Sequence, residues 1–183
     1  MKRIIAACML CLYGTSVWAV SPQYVNPGTT PIIFADGAQA PNGGTWTLSN
    51  RNPGTGEVGA RYDKGTGAKP AWWEYRCRFA LTGTNVPGEK IELYISTSDG
   101  TNPDGEIGTG DGAISADKRR NLKRIGTLVV DQTTTNTIMT ASGLVYIPQR
   151  YFSPAMWNAT SLPTQSSTSA MRCAFTPMTI EMQ

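Results

Sequence analysis

The chain has 183 residues, a length that suits one domain with or without a tail, and only 16% of them are charged, against 19 glycines and 12 prolines. It contains no histidine, which excludes Ser–His–Asp and Cys–His nucleophile devices and histidine-dependent zinc sites. The net charge is +3, of which Lys2 and Arg3 supply two, so the body is close to neutral. It has little counterion-release drive toward nucleic acid, and no nucleic-acid partner is expected.

Residues 1–19 read as a secretory signal. Lys2 and Arg3 form a positive start, residues 4–13 are apolar, and Val17 and Ala19 place small residues before a cut at Val20. The apolar run falls short of the ~20 residues a spanning helix needs, so no stable membrane span is expected. The alternative is an uncut apolar segment packed on the domain or a neighbour. Cys8 and Cys11 lie inside this run, where their C-x-x-C spacing is chance rather than redox or metal chemistry.

Residues 20–31 are polar and proline-punctuated, an N-terminal arm. Residues 32–183 read as a single domain. Residues 32–34 form a short edge strand, and 43–50 alternate with Trp46 and Leu48 on one face. Residues 52–67 are so rich in glycine that they read as a loop.

Residues 72–81 carry the clearest period of two. Trp73, Tyr75, Cys77, Phe79 and Leu81 share one face; Glu74, Arg76 and Arg78 share the other. A turn follows, then Ile91, Leu93 and Ile95 alternate with Glu92 and Tyr94. Residues 98–112 form a long excursion with Asp99, Asn102, Asp104, Glu106 and Asp111. Calcium takes oxygens from such loops, but the EF-hand order is absent. The expectation is therefore turns in which Asp and Asn accept backbone amides, with no cofactor and no metal.

Residues 115–124 predict a short helix. Ser115 is its N-cap, Asp117 lies in the first turn, and five basic residues follow, as a solvated face or a phosphate patch. Strands are expected at 125–130, 138–147 and 171–178. Between them an irregular aromatic segment surrounds Pro154, and 160–169 is a Ser/Thr-rich loop. Tyr151, Phe152 and Trp157 of that segment are candidate interface anchors or core residues. Cys77 and Cys173 are a candidate disulfide if their strands are neighbours in an oxidising compartment, and buried thiols otherwise. The whole predicts an all-β protein: an antiparallel β-sandwich, jelly-roll-like, with long loops and one short helix.

The runs ELYISTSDGTNPDGEIGTGDGAIS, DKRRNLKRIGTLVVD and ASGLVYIPQRYFSPAMWNAT, within residues 91–160, resemble small virion proteins of tailed bacteriophages. The resemblance implies a non-enzymatic head- or tail-associated component of the particle, a homo-oligomer or particle-bound subunit that contacts other virion proteins. The alternative reading is a secreted or periplasmic β-sandwich binding module, for example for glycans, with Trp46, Trp72 or Trp157 as stacking platforms. An enzyme is not expected: Asp104 and Glu106 would serve glycoside hydrolysis only if carboxylates faced each other across a cleft.

Overall fold

The computed structural model describes residues 22–25, 30–37, 39–40, 44–101, 104, 110–167 and 169–182; the signal-like segment 1–19 lies outside them. In chain order the strands are β1 (Pro22–Val25), β2 (Ile32–Ala35), β3 (Gln39–Ala40), β4 (Gly44–Thr45), β5 (Thr55–Val58), β6 (Tyr62–Asp63), β7 (Trp72–Ala80), β8 (Lys90–Ser98) and β9 (Gly112–Ile114). After the helix α1 (Ala116–Arg119) come β10 (Lys123–Val129), β11 (Ile138–Tyr146), β12 (Tyr151–Ala159) and β13 (Arg172–Met182).

Two antiparallel sheets stack face to face. Sheet one runs β2–β13–β7–β11, with β1 continuing the β2 edge along the far half of β13. Sheet two runs β10–β8–β12–β5–β9, with β6 also on β12. Successive long strands (β2, β5, β7, β8, β10, β11, β12, β13) alternate between the sheets except at β8–β10, where both lie in sheet two. This is the double Greek key of a jelly roll.

The inner faces make one core. Phe152 sits at its centre, with ring centroids 5.3 Å from Trp73, 5.4 Å from Phe175, 5.4 Å from Tyr62 and 6.0 Å from Phe34. Trp46, Phe79, Leu93 and Ile95 fill the rest. Each such side chain contributes about 1.5–3 kcal/mol by leaving water. Tyr75 closes the seam where β10 and β11 approach. Its hydroxyl donates to the Ile125 carbonyl (2.7 Å), passing so close to Gly126 and Gly143 that a Cβ at either would stand 2.5 or 2.8 Å from it.

Three sequence expectations need correction. The glycine-rich stretch 52–67 contains β5 and β6 rather than being only loop. Its glycines are there for close approach: a Cβ on Gly56 would meet Trp157 at 2.7 Å and the Met156 carbonyl at 2.6 Å. The aromatic segment around Pro154 is not irregular but is the central strand β12. Pro154 is tolerated because it falls between the ends of β5 and β6. Its carbonyl accepts from Gly59 N (2.8 Å) on that side, and the N–H it lacks would point the same way, leaving the β8 ladder whole. Finally, the last strand does not stop at 178 but runs to Met182, where residues 179–182 pair with Pro22–Val25 of the arm.

Candidate functional site

The outer faces of the two sheets are treated differently by the chain. Sheet two covers its own. The segment of α1 lies over it, and Val58, Tyr94, Ile114, Leu122, Ala155 and Trp157 form a second buried cluster there. Ser115 caps α1 by accepting from Lys118 N (3.2 Å).

Arg119 fastens the helix down: its guanidinium lies 4.3 Å from the Trp157 ring centroid and 3.0 Å from Glu92. Burial pushes Glu92 up, yet the Tyr94 hydroxyl at 2.7 Å, Arg124, Arg119 and Lys90 hold its carboxyl below the usual range. The same environment raises the Tyr94 phenol to about 12, through burial first and the Glu92 carboxylate second.

The basic run of 118–124 is therefore largely engaged within the chain. Lys123 donates to the Tyr146 carbonyl (2.9 Å), Arg124 to the Thr127 hydroxyl (2.5 Å), and Arg120 lies 3.6 Å from Asp117.

The carboxylates of the excursion also serve the backbone. Asp99 accepts from Thr101 N (2.8 Å), Asp104 from Thr97 N (3.0 Å), and Asp111 from Thr47 N (2.8 Å) and its hydroxyl (2.5 Å). Asn102 and Glu106, and with Glu106 the acid pair it would form with Asp104, lie outside the described residues. Among the described residues no group of three or more metal-ligating side chains occurs.

Sheet one leaves its outer face open. Among the described residues six large apolar side chains stand exposed, and four of them share this face: Ile33 on β2, and Ile138, Leu144 and Tyr146 on β11. The register arranges the face in rows. Met178, Trp72 and Tyr146 make the first, with the Trp72 and Tyr146 ring centroids 5.2 Å apart and tilted by 55°. Thr176, Glu74 and Leu144 make the second. Ile33, Ala174, Arg76 and Ser142 make the third, and Arg172, Arg78 and Thr140 the fourth.

The last two rows surround a depression of about 660 Å³. It exists because Ala174 puts no bulk at its floor while arginines stand around it.

The disulfide between Cys77 and Cys173 fixes this geometry from the inner side. The two cysteines are register partners on β7 and β13, both almost fully buried. The arginines that flank them in sequence, Arg76, Arg78 and Arg172, emerge together on the opposite face. Arg76 pairs with Glu74 at 2.8 Å. Arg78 and Arg172 have no ion pair among the described residues, and the buried Arg78 Nε has no hydrogen-bond partner.

Of the candidate interface residues, Phe152 is in the main core and Trp157 in the second cluster, so neither side chain is presented outward. Tyr151 is half-buried between Arg61 (4.3 Å) and Arg150 (4.8 Å), whose guanidiniums lie near its ring. Arg150 in turn holds the Asp63 carboxyl down to about 2 through paired hydrogen bonds of 2.7 Å. Of the candidate stacking platforms, Trp46 is fully buried and Trp157 nearly so; Trp72 keeps a part-exposed face.

The arginine cluster was missed in the sequence. The alternation of 72–81 already put Arg76 and Arg78 outward, and pairing Cys77 with Cys173 as neighbours would have brought Arg172 to the same spot.

No family model matches the chain, and no curated protein matches it. Among solved structures it is similar to the CBM22-1–GH10 modules of the Clostridium thermocellum N-terminal endo-1,4-beta-D-xylanase 10B complexed with xylohexaose. The TM-score is 0.31 and the identity 15%, over 87% of this chain and 26% of that one. The chain thus spans about a quarter of that structure, and a likeness this slight carries no conclusion.

Proposed function

We propose that the protein is a non-enzymatic structural subunit of a phage particle, docked on other particle proteins through the outer face of sheet one. The observation that carries this is the asymmetry of the sandwich. One outer face is covered by the chain's own helical segment, with Leu122 and Trp157 buried there, while the other presents Ile33, Ile138, Leu144 and Tyr146 to solvent. Exposed apolar rows of this kind, edged with Arg and aromatic residues, have the composition of a protein interface. The resemblance of residues 91–160 to virion proteins supports the particle as the setting, and a disulfide suits a virion surface, which meets oxidising conditions.

The test is sedimentation of the native protein from its source. Recovery with intact particles, in a fixed ratio to their other proteins, is the expected result. Recovery only as a free monomer overturns the proposal.

A second reading, a glycan-binding module, has one observation in its favour: the Trp72–Tyr146 pair on the same open face. Titration with a panel of oligosaccharides while following tryptophan fluorescence decides it. Saturable change lost in Trp72→Ala supports this reading, and no change removes it.

A further inference from the structure

We propose that the depression between β2, β13, β7 and β11 seats the carboxylates of an acidic segment of the partner protein, held by Arg76, Arg78 and Arg172. This rests on the docking reading above and names the chemistry of the partner.

The first argument is the cost of the arrangement. Arg172 and Arg78 are directly opposed across β13 and β7, and Arg76 is the next outward residue on β7. Like charges placed opposite one another destabilise a sheet. Among the described residues the carboxylate in an ion pair with this cluster is Glu74, and it engages Arg76. Such a local conflict marks a site whose relief comes from a ligand.

The second argument is the donor set. Three guanidinium forks are joined by the hydroxyls of Thr140, opposite Arg78, and Ser142, opposite Arg76. The polar side chains that line the depression are all able to donate hydrogen bonds, and Arg78 Nε is already out of water without an acceptor. Guanidinium forks match carboxylates with paired hydrogen bonds.

The third argument concerns the chain's own residues 1–35. They hold no Asp or Glu and add Lys2 and Arg3, so this segment does not supply the carboxylates. Glu181 pairs with Gln23 at the opposite end of β13 from Arg172. The flanking Ile33 and Leu144 suit a polypeptide, with apolar as well as charged side chains, better than a bare polyanion.

The experiment titrates the full chain with a fluorescein-labelled hexaglutamate peptide at low ionic strength, reading anisotropy, with a hexalysine peptide and a thymidine oligonucleotide as comparators. Saturable binding of hexaglutamate alone, weakening as salt is added, is expected. Arg78→Gln and Arg172→Gln should each weaken it about tenfold, while Arg120→Gln, on α1, leaves it unchanged.

The melting temperature of Arg172→Gln should hold or rise, because a repulsion is removed; a merely structural arginine would lower it. No binding, equal loss in Arg120→Gln, or tighter binding of the oligonucleotide lost in the same variants would overturn the proposal.

The two readings separate cleanly. A free monomer that still binds hexaglutamate through these arginines ends the docking reading alone. Particle incorporation that survives the double substitution Arg78→Gln, Arg172→Gln ends the carboxylate site alone.

Discussion

At the scale of single residues, the group that departs furthest from ordinary behaviour is Glu57. Its side chain is 3% exposed on β5, and its carboxyl is raised from 4.5 to about 8. Burial is the main cause and a hydrogen bond with Asp111 the next; Arg51 at 2.8 Å opposes both without winning. The folded protein therefore holds a proton at Glu57 that the unfolded chain releases near 4.5. Between those two values the native state binds more protons, so stability is highest below the lower value and falls as pH rises toward the upper one. The fall from this one group is of order a few kcal/mol. Asp63 has the opposite sign: its carboxyl is depressed from 3.8 to about 2, so its contribution is present above 3.8 and lost as pH falls toward 2. Thermal melts from pH 5 to pH 8 should show a declining midpoint in the wild type. Glu57→Gln, which keeps the shape and cannot ionise, should flatten that decline; an unchanged slope would show that Glu57 does not hold the proton.

At the scale of elements, the strands legible in the sequence were those that alternate. β7, β10, β11 and β13 bury one face against the opposite sheet and leave the other wetter, and β8, though buried on both faces, carries Glu92, Tyr94 and Ser96 on its outer side, so period two survives in their residue types. β5 and β12 hid because sheet two buries them on both faces. β12 reads as unbroken burial from Phe152 to Asn158, and β5 reads as glycine because Trp157 leaves no room for a side chain. The helix start was legible in Ser115, whose cap is a local interaction; its early end was not, because Leu122 and Glu92 draw the chain back onto sheet two. The open face was half legible. Arg76 and Arg78 were assigned outward, but a face shared by four strands depends on long-range register, which no local pattern encodes. The hidden pair β5–β12 makes a sharp prediction. Gly56→Ala places a methyl against the Met156 carbonyl, Ile114 and Trp157, all within 2.7 Å, and backbone cannot yield as a side-chain tip would. Overpacking of this kind costs about 1–3 kcal/mol. Urea unfolding should show that loss at Gly56, while Gly112→Ala, whose Cβ would meet nothing within 4 Å, serves as the mild control.

At the scale of the whole molecule, the question is what a sandwich does with two outer faces when its chain seals one. A sheet with both outer faces wet would keep both polar. Here the chain spends its helix on sheet two and leaves Ile138 and Leu144 in water on sheet one. Their exposures of 46% and 47% mean that replacing them removes little of the fold's own burial, so the double variant Leu144→Ser, Ile138→Ser should stay within about 0.5 kcal/mol per site of wild-type stability. If the face docks on a partner, the same two substitutions remove apolar anchors that association would bury, and truncating such anchors weakens binding by about 1 kcal/mol or more each. The expected outcome is a folded protein that melts as the wild type does and is depleted from particles about tenfold or more. Val86→Ser tests that the loss belongs to the face rather than to lost apolar surface in general. Val86 is 46% exposed in the connection between β7 and β8, outside the strands that form sheet one's open face, and its variant should be incorporated normally. Equal incorporation of all three proteins would mean that the apolar rows of sheet one are not where this molecule meets its neighbours.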